Sequence, residues 1–404
     1  MSAPHVALEV VAAFVLAKQG LAGSGQDAVL TAIDSTGGVY GTAPTCYLSC
    51  AARLADFRLG QLDEQLYEQR TLSRLRAMRG SSYVVPAEVL PFVVAATGQV
   101  AVNAYARFVR QCGLSDRACT ELTDRIEQVL TGRPSATVAE IRELLGGDVP
   151  GRRETLQYAV ALMAAEARLA RARPRGGWRS DNYTYTPWLD WFGLPLALLE
   201  PADGRVELAR WYLGAFGPAS AADLRWWAGW NARDTAAALA ALHADVAEVV
   251  ITAQDGTPTQ AYLPSEHEAA LPATDPDAAR GVRLLPVWDA YLMGYVDRAR
   301  LVAADDRPWV YDKAGNATSV VLVDGMVAGV WEHEGDGSGA PFTVRVAPLR
   351  PANTRWWGAV EQAATELASA VEASELRFER APRPGPLADG ARNAFLAPIR
   401  LAGG

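Results

Sequence analysis

The N-terminal quarter of the chain alternates between apolar helical segments and loops rich in glycine. The loop at residues 37–44 contains three glycines, followed by a proline that disfavours helix in the residue before it. It is either a plain connection between helices or a place for chemistry, since loops often contain functional residues. Apolar periodicity predicts helices at residues 6–16, from 26 or 27 to 33, at 46–57 and at 62–78, with a β-prone stretch at 82–85.

An internal repeat lies in the middle of the chain, where residues 137–146 match residues 220–229. In each copy a hydroxyl residue, Thr137 or Ser220, precedes an acidic residue by three positions, and a glycine ends the segment. This spacing predicts a capping box at the start of a helix. A matched arginine–acid–threonine triplet then leads into a second helix in each copy, so the repeated unit is helix, turn, helix.

Strand signals follow each helical unit. Residues 249–252 and 260–263 flank a turn sequence, Gln254-Asp255-Gly256, and the arginine-rich segment 168–179 leads into aromatic residues 183–185. A helix-turn-helix followed by a hairpin is typical of a winged helix. Together with the N-terminal segments, the pattern predicts three winged helices in tandem.

From Val282 onward the composition shifts towards strands. Asp324-Gly325 predicts a tight hairpin, residues 342–346 alternate as a half-buried strand, residues 356–378 predict a closing helix, and the tail from Pro382 is rich in Pro, Gly and Ala. The predicted fold class is α+β, mainly helical, with a C-terminal small β-barrel or sheet. The predicted domains are winged helices at 1–100, 101–200 and 201–280, and the β domain at 281–404.

Composition excludes several classes of protein. The 404 residues have a net charge of −8, which argues against indiscriminate nucleic-acid binding, although arginines can still gather on one face. Four histidines are scattered, and four cysteines form no CxxC pair, so neither a zinc site nor a disulfide framework is predicted. No apolar stretch suggests a membrane span or a secretion signal. We therefore expect a cytoplasmic protein without metal or redox cofactor and without membrane contact.

Arginine with interleaved aromatic residues suits contacts to phosphates and stacking on bases. The segment 168–179 contains no acidic residue and coincides with a predicted wing, which favours DNA contact over a solvated arginine face. The turn after residue 78 is a similar, weaker candidate that could also be a plain turn. The residues predicted to contact DNA are Arg171, Arg173, Arg175, Trp178 and Arg179, together with Arg79, Ser81 and Ser82.

Two carboxylates, Asp289 and Asp297, interrupt an otherwise apolar stretch. A buried structural pair, for example Asp297 with Arg298 or Arg300, explains them most simply. Outside the N-terminal loop, this stretch is still the best place to look for a catalytic carboxylate, and Asp289 is the candidate. No dinucleotide-binding, phosphate-binding, zinc-protease or nucleophile-elbow motif occurs in the chain.

Across nearly its whole length the chain resembles the winged-helix DNA glycosylases of the AlkZ/YcaQ-like family. The segments responsible for the resemblance are residues 16–23, 78–85, 211–229, 284–298 and 321–331. The resemblance implies tandem winged helices around a DNA-binding channel, and excision of N7-alkylated purines, including bulky adducts and interstrand crosslinks. In antibiotic producers, such enzymes protect against the producer's own alkylating product.

The family's catalytic motif is Gln, an apolar residue, then Gln or Asp, shortly before a proline. Here that position reads Tyr40-Gly41-Thr42, followed by Ala43-Pro44, so both polar positions depart from the pattern. The resemblance therefore assigns the catalytic role to Tyr40 and Thr42 by position. Their hydroxyls could position a water, with help from a carboxylate such as Asp34 or Asp289.

The predicted function is that of a monofunctional DNA glycosylase, a monomer that hydrolyses the N-glycosidic bond of an alkylated purine in double-stranded DNA. The altered motif favours one rival, a non-catalytic winged-helix protein that binds DNA or an adduct, or regulates transcription. A third hypothesis is sequestration of a free alkylating drug.

Overall fold

The computed structural model describes residues 3–23, 25–252, 256–335 and 341–381, together with residues 384 and 387. Its helices are α1 (Leu8–Lys18), α2 (Val29–Asp34), α3 (Thr45–Ala51), α4 (Leu59–Asp63), α5 (Leu90–Gln111), α6 (Asp116–Leu130), α7 (Val138–Leu144), α8 (Thr155–Ala165), α9 (Trp188–Phe192), α10 (Pro201–Phe216), α11 (Ala221–Ala228), α12 (Ala232–Ala241), α13 (Ala290–Met293), α14 (Arg307–Val310) and α15 (Thr354–Ala370). Its strands are β1 (His5–Ala7), β2 (Val39–Tyr40), β3 (Leu72–Arg76), β4 (Ser82–Pro86), β5 (Ala136–Thr137), β6 (Leu169–Pro174), β7 (Tyr183–Pro187), β8 (Val246–Thr252), β9 (Pro258–Pro264), β10 (Val282–Leu285), β11 (Val320–Val323), β12 (Met326–Glu334), β13 (Phe342–Pro348) and β14 (Leu376–Arg380).

The described residues fall into two compact units. The first unit contains the described parts of Met1–Tyr40, Thr45–Leu62 and Ala209–Gly404, and the second contains Gly41–Pro44 and Asp63–Leu208. The sequence predicts four domains that follow one another along the chain, whereas these two units are each built from separate segments. The four domains stay a prediction.

The second unit combines helices with two antiparallel hairpins. Strands β3 and β4 pair with Leu72 opposite Pro86, and β6 pairs with β7, which also pairs with β5. Helix α8 packs against α5, α6 and α7. Side chains such as Ile126, Ile141 and Val160 are fully buried in the resulting core, which hydrophobic burial stabilises.

The first unit contains two sheets. In one, β8 pairs with β9 in antiparallel fashion and with β1 in parallel. In the other, the strand order is β10-β11-β12-β13-β14, with β14 parallel to β13, and α15 packs against β10 and β14. In the described residues this second sheet is open, because β10 and β14 stand at opposite ends of its order.

The element order matches the repeat seen in the sequence. Helices α7 and α8 precede the β6–β7 hairpin, and helices α11 and α12 precede the β8–β9 hairpin. This order is consistent with α+β architecture and with winged helices. The number of winged helices and a closed barrel stay predictions, and the turn residues Gln254 and Asp255 and most of the tail from Pro382 lie outside the described residues.

Both predicted capping boxes are present. Thr137 Oγ1 accepts from the Glu140 backbone N–H, and Glu140 accepts from the Thr137 N–H in return. Ser220 and Asp223 repeat the arrangement. The predicted tight hairpin is also confirmed, because β11 and β12 flank Asp324 and Gly325, whose φ values of 50° and 82° fit a type I′ turn.

The helix predicted over residues 62–78 is wrong. Helix α4 ends at Asp63, a π-helical turn covers Glu64–Glu68, and strand β3 begins at Leu72. Arg70 has a φ of 58°, which ends the helical path, and pairing with β4 then decides the conformation of the following residues. The spacing of apolar residues within one segment carries no information about a partner strand elsewhere in the chain.

The closing helix is shorter than predicted. Helix α15 ends at Ala370, and Leu376–Arg380 form strand β14 beside β13. Glu372 has a φ of 58° at the break, so the backbone leaves the helix there. Phe378, predicted to be helical, lies opposite Val344 in the sheet.

One segment corrects the expectation that no apolar stretch suggests a span. The helical stretch Ala87–Gln111 is long and apolar enough to cross a membrane by length and composition alone. It also packs against α8 and buries Val93, Ala101 and Val109. A core helix of a globular unit meets the same criteria, so the stretch is weak support for a membrane span.

The two capping boxes differ in the burial and the further contacts of their acidic residues, Asp223 and Glu140. Asp223 is 2% exposed, accepts from the Val296 N–H at 2.9 Å and lies 3.9 Å from the buried Arg300 guanidinium, whereas the Glu140 side chain is 44% exposed. We expect Thr137→Ala to lower the free energy of unfolding by about 1 kcal/mol, as for an ordinary cap. Asp223→Ala should cost about 3–5 kcal/mol, because it leaves a buried cation without its carboxylate. Urea denaturation followed by circular dichroism measures both, and equal costs would contradict this interpretation.

Candidate functional site

Hydrogen bonds within the second unit fix the backbone of the Gly41–Pro44 loop. The Gly41 N–H donates to Ser82 O at 2.8 Å, and the Ala43 N–H donates to Asp181 Oδ1 at 3.2 Å. Tyr183 Oη lies 3.3 Å from Gly41 O. A side chain at position 41 has no room, because a Cβ there would lie 2.8 Å from Ser82 Oγ. The loop is therefore held against strand β4 and the residues that precede β7.

Thr42 lies between these anchored positions. The residue is half-buried, and its Oγ1 is buried without a hydrogen-bond partner in the described part of the chain. A buried hydroxyl without a partner loses free energy relative to one that is hydrogen-bonded. The Thr42 hydroxyl thus has donor and acceptor capacity that the described residues do not use.

Arginines from two strands of the second unit gather near this loop. Arg171 Nη1 lies 3.4 Å from Ser82 Oγ, and the guanidinium carbons of Arg74 and Arg171 lie 4.7 and 5.8 Å from the Tyr183 ring centroid. Arg74, Arg76 and Arg171 also line one small cavity. Arg171 forms no ion pair within the described residues, and its Nε is buried without an acceptor. This cluster can bind an anionic group such as a phosphate.

Other predicted DNA contacts are engaged by the protein's own acids. Arg173 pairs with Asp63 and, at 3.0 Å, with Glu68, while Arg175 lies 3.5 Å from Glu140. Burial alone would lower the pKa of Arg173, but the carboxylates of Asp63 and Glu68 raise this pKa above its usual range. The side chain therefore stays cationic, with its charge already balanced.

The remaining predicted DNA contacts lie in turns. Trp178 is half-buried and Arg179 is exposed, both between β6 and β7. Arg79 and Ser81 lie in the turn between β3 and β4, where Arg79 has a φ of 55° and the Ser81 N–H donates to Met78 O. Ser82 is buried at the start of β4, and the structure brings it together with Arg171, another of the predicted DNA contacts.

In the first unit, Tyr40 is 6% exposed and its ring stacks on Trp288, with centroids 5.8 Å apart and planes 25° apart. Trp288 has a φ of 56° and directly precedes Asp289. Tyr40 thus contacts the residue before Asp289 in the chain, whereas the Asp289 carboxylate is engaged elsewhere.

The Asp289 carboxylate is fully buried and its acceptor capacity is used. Both oxygens accept from Arg53, at 2.7 Å each. Oδ2 also accepts from Ser49 at 3.0 Å, and Oδ1 accepts from the Tyr291 N–H at 3.0 Å. A carboxylate offers about four lone-pair sites, so none remains for a water. This arrangement favours a structural role for Asp289 over the catalytic role suggested by the sequence.

The other acidic residues considered from sequence also have protein partners. Asp34 Oδ1 accepts from the Trp211 indole N–H at 2.7 Å. Asp297 accepts from the Ala299 N–H, and the expected pairing of Asp297 with Arg298 or Arg300 is replaced by the pair between Arg300 and Asp223. The structural carboxylate of this stretch is therefore Asp289, paired with Arg53.

A cavity of about 490 Å³ lies in the first unit, lined by glycines 20, 23 and 25, residues 51–58 and part of α15. None of the sequence-predicted site residues lines it. Its size therefore does not identify it as the place of the predicted chemistry. Among the described residues no group of three or more His, Cys, Asp or Glu side chains could hold a metal ion.

Sequence reasoning missed three residues of this region. The helix predicted over residues 62–78 contains Arg74, which the structure places in strand β3. Asp181 and Arg53 give no local signal, because their partners Ala43 and Asp289 lie 138 and 236 positions away.

Comparison with known proteins gives concordant results. Residues 29–372 match the family described as "DNA glycosylase AlkZ-like". The chain is 28% identical over 285 residues to an "Interstrand DNA cross-link repair glycosylase" of Streptomyces sahachiroi, covering 65% of this chain and 70% of that protein. It is also similar to the solved structure of the Streptomyces sahachiroi DNA glycosylase AlkZ, with a TM-score of 0.74, 23% identity, and coverage of 93% and 100% of the two chains. At that identity, the structural likeness concerns the fold.

Replacing one partner of the Arg53–Asp289 pair should be costly. Asp289→Ala leaves a buried guanidinium uncompensated, so we expect a loss of about 3–5 kcal/mol in the free energy of unfolding. The double variant Arg53→Gln/Asp289→Asn removes both charges and keeps polar groups in place, so it should recover a large part of that loss. Urea denaturation of the three proteins measures this, and a wild-type stability in Asp289→Ala would exclude the structural role.

Proposed function

This chain belongs to the AlkZ-like DNA glycosylase family, and on that premise we propose that it excises N7-alkylated purines from double-stranded DNA. The observation on which the proposal depends is the Thr42 hydroxyl, buried without a partner in a backbone fixed on both sides. The nearby Arg171 suits a DNA phosphate, since it forms no ion pair within the described residues. We assign the catalytic role to Thr42 and Tyr40.

The proposed reaction is hydrolysis of the N-glycosidic bond. The bond between C1′ and N9 breaks with its electron pair going to the purine, which becomes neutral because N7 alkylation had made it cationic. Water adds to C1′, its proton passes to solvent, and an abasic site remains. Such a leaving group needs no general acid, so the enzyme has to expose the nucleotide, stabilise an oxocarbenium-like sugar and orient a water. Hydroxyls can orient the water by hydrogen bonds.

The substrate class extends, in this proposal, to bulky adducts and crosslinks. The named relative is an interstrand cross-link repair glycosylase, and this chain covers 70% of it. A role in protecting a producer from its own alkylating antibiotic follows from the same substrate class. The proposal keeps the predicted tandem winged helices around a DNA channel, a cytoplasmic monomer and a monofunctional reaction.

The direct test is incubation of the protein with duplex DNA that contains N7-methylguanine or a bulky N7 adduct. Release of the free base and formation of abasic sites are expected. Tight binding without release across several adducts would falsify the enzymatic role and support the DNA-binding rival. The Arg53→Gln/Asp289→Asn variant, expected to retain much of the stability, belongs in the same assay, because retained release would show that Asp289 is not the catalytic carboxylate.

Loss of the loop hydroxyls should slow base release. We expect Thr42→Ala and Tyr40→Phe each to lower the single-turnover rate roughly tenfold to a hundredfold, the effect of one lost hydrogen bond in the transition state. Thr42→Ser keeps the hydroxyl and is the matched control, while Tyr40→Phe keeps an aromatic ring to stack on Trp288. Unchanged rates in both hydroxyl variants would place the catalytic groups elsewhere.

Arg171 should contribute to DNA affinity through local contact. We expect Arg171→Ala to weaken binding of an undamaged duplex about tenfold and to reduce the slope of log K against log salt by about one. Arg133→Ala is the matched control, because Arg133 is exposed, forms no ion pair among the described residues and changes the net charge equally. Fluorescence anisotropy at several salt concentrations measures the affinity and the salt slope. An equal loss of affinity in the two variants would show that the effect comes only from the change in net charge.

A further inference from the structure

Asp181 lies between β6 and β7 and reaches the Gly41–Pro44 loop. Its Oδ1 accepts from the Ala43 N–H at 3.2 Å and from Tyr183 Oη at 2.9 Å. Tyr183 Oη is also 3.3 Å from Gly41 O, so its single proton has two acceptors close by. These contacts join the two residues that flank Thr42 to one carboxylate and one phenol.

Three backbone groups of the loop form hydrogen bonds to residues of the second unit. The Gly41 N–H is bound by Ser82 O, while Gly41 O and the Ala43 N–H face Tyr183 and Asp181. Removal of the Asp181 carboxylate would leave the Ala43 N–H without its acceptor. The Tyr183 hydroxyl would then keep only Gly41 O of its two nearby acceptors. The backbone on the C-terminal side of Thr42 would then lose its anchor.

Tyr183 is itself held in place. Its side chain is 9% exposed, and the guanidinium groups of Arg74 and Arg171 lie over its ring. Cation–π contacts of this kind orient an aromatic ring. One of these two arginines, Arg171, is the residue that we propose to bind DNA phosphate, and the phenol oxygen contacts Gly41 O and Asp181.

We propose that Asp181 and Tyr183 are positioning residues, which fix the Gly41–Pro44 loop so that the Thr42 hydroxyl stays in its reactive orientation. This inference rests on the proposed function, because the orientation matters only if Thr42 acts in base release. Neither residue needs to touch the alkylated purine. Their effect is on the rate of the chemical step and not on DNA affinity, since a misplaced hydroxyl lowers the rate without removing a DNA contact.

Single-turnover base release and DNA affinity separate this role from a general structural one. We expect Asp181→Ala and Tyr183→Phe to lower the rate about tenfold or more, since a hydrogen bond to a charged group is lost, while the Kd for the duplex changes less than about twofold. Asp181→Asn keeps an acceptor oxygen and should restore most of the rate. Asp190→Ala is the matched control, because Asp190 is an exposed carboxylate that accepts from the Gly132 N–H, away from the loop.

A double-mutant cycle tests the action through Thr42. Asp181→Ala added to Thr42→Ala should cause little further loss, because the hydroxyl that it positions is already absent. Full additivity of the two losses, or a wild-type rate in Asp181→Ala and Tyr183→Phe, would overturn the inference. Asp181→Asn as slow as Asp181→Ala would also overturn it, because the negative charge and not the positioning would then be required.

Hydrogen exchange distinguishes failure of the inference about Asp181 from failure of the proposed function. In Asp181→Ala, amides in a peptide covering residues 40–46 should exchange faster than in wild type, and in Asp190→Ala they should not. If the wild-type protein releases no base, the proposed function fails, and the exchange comparison still decides whether Asp181 fixes the loop. Unchanged exchange in Asp181→Ala would overturn the inference whatever the enzymatic result.

Discussion

The close approach of Gly41 to strand β4 determines where the candidate catalytic loop can lie. The backbone there is so near to Ser82 and Tyr83 that any Cβ would overlap with their atoms. This contact allows the Gly41 N–H to bind Ser82 O, and it brings Gly41 O and the Ala43 N–H within reach of Tyr183 and Asp181. A glycine between the two hydroxyl residues is thus a steric requirement, and it leaves Thr42 with a fixed backbone and an unengaged hydroxyl.

Some charged side chains of this protein are neutralised by a partner within the fold, and others are not. The first kind stabilises the structure, and the second kind can bind a ligand of opposite charge. Asp289 and Arg53 are fully buried and satisfy each other, as buried charges must to avoid a large desolvation cost. Arg171 retains a buried Nε without an acceptor, and Arg179 is exposed without an ion pair among the described residues. Charges that the fold does not neutralise are the ones that a polyanion can use, which is why Arg173, already paired with Glu68, is a weaker candidate.

Features decided by neighbouring residues were predictable from sequence, and features decided by distant partners were not. The capping boxes at Thr137 and Ser220 and the turn at Asp324 depend on a few adjacent side chains and φ angles. Strand β3 and the shortened α15 depend on pairing with β4 and β13, so periodicity alone gave the wrong element. The resemblance assigned the catalytic role to the loop by position, but only the structure shows that Asp181 accepts from the Ala43 N–H.

The composition of the loop limits what the proposed chemistry can achieve. Tyr40 and Thr42 offer hydroxyl groups, which form hydrogen bonds but are weak acids for protonating a departing purine. The buried Asp289 carboxylate has no acceptor site left for the reaction, since Arg53, Ser49 and the Tyr291 N–H fill all four. A site of this kind depends on a leaving group that is already cationic, as alkylation at N7 provides. Selectivity for charged purines over neutral lesions would then follow from the absence of an acid in the loop, without any contact that reads the alkyl group.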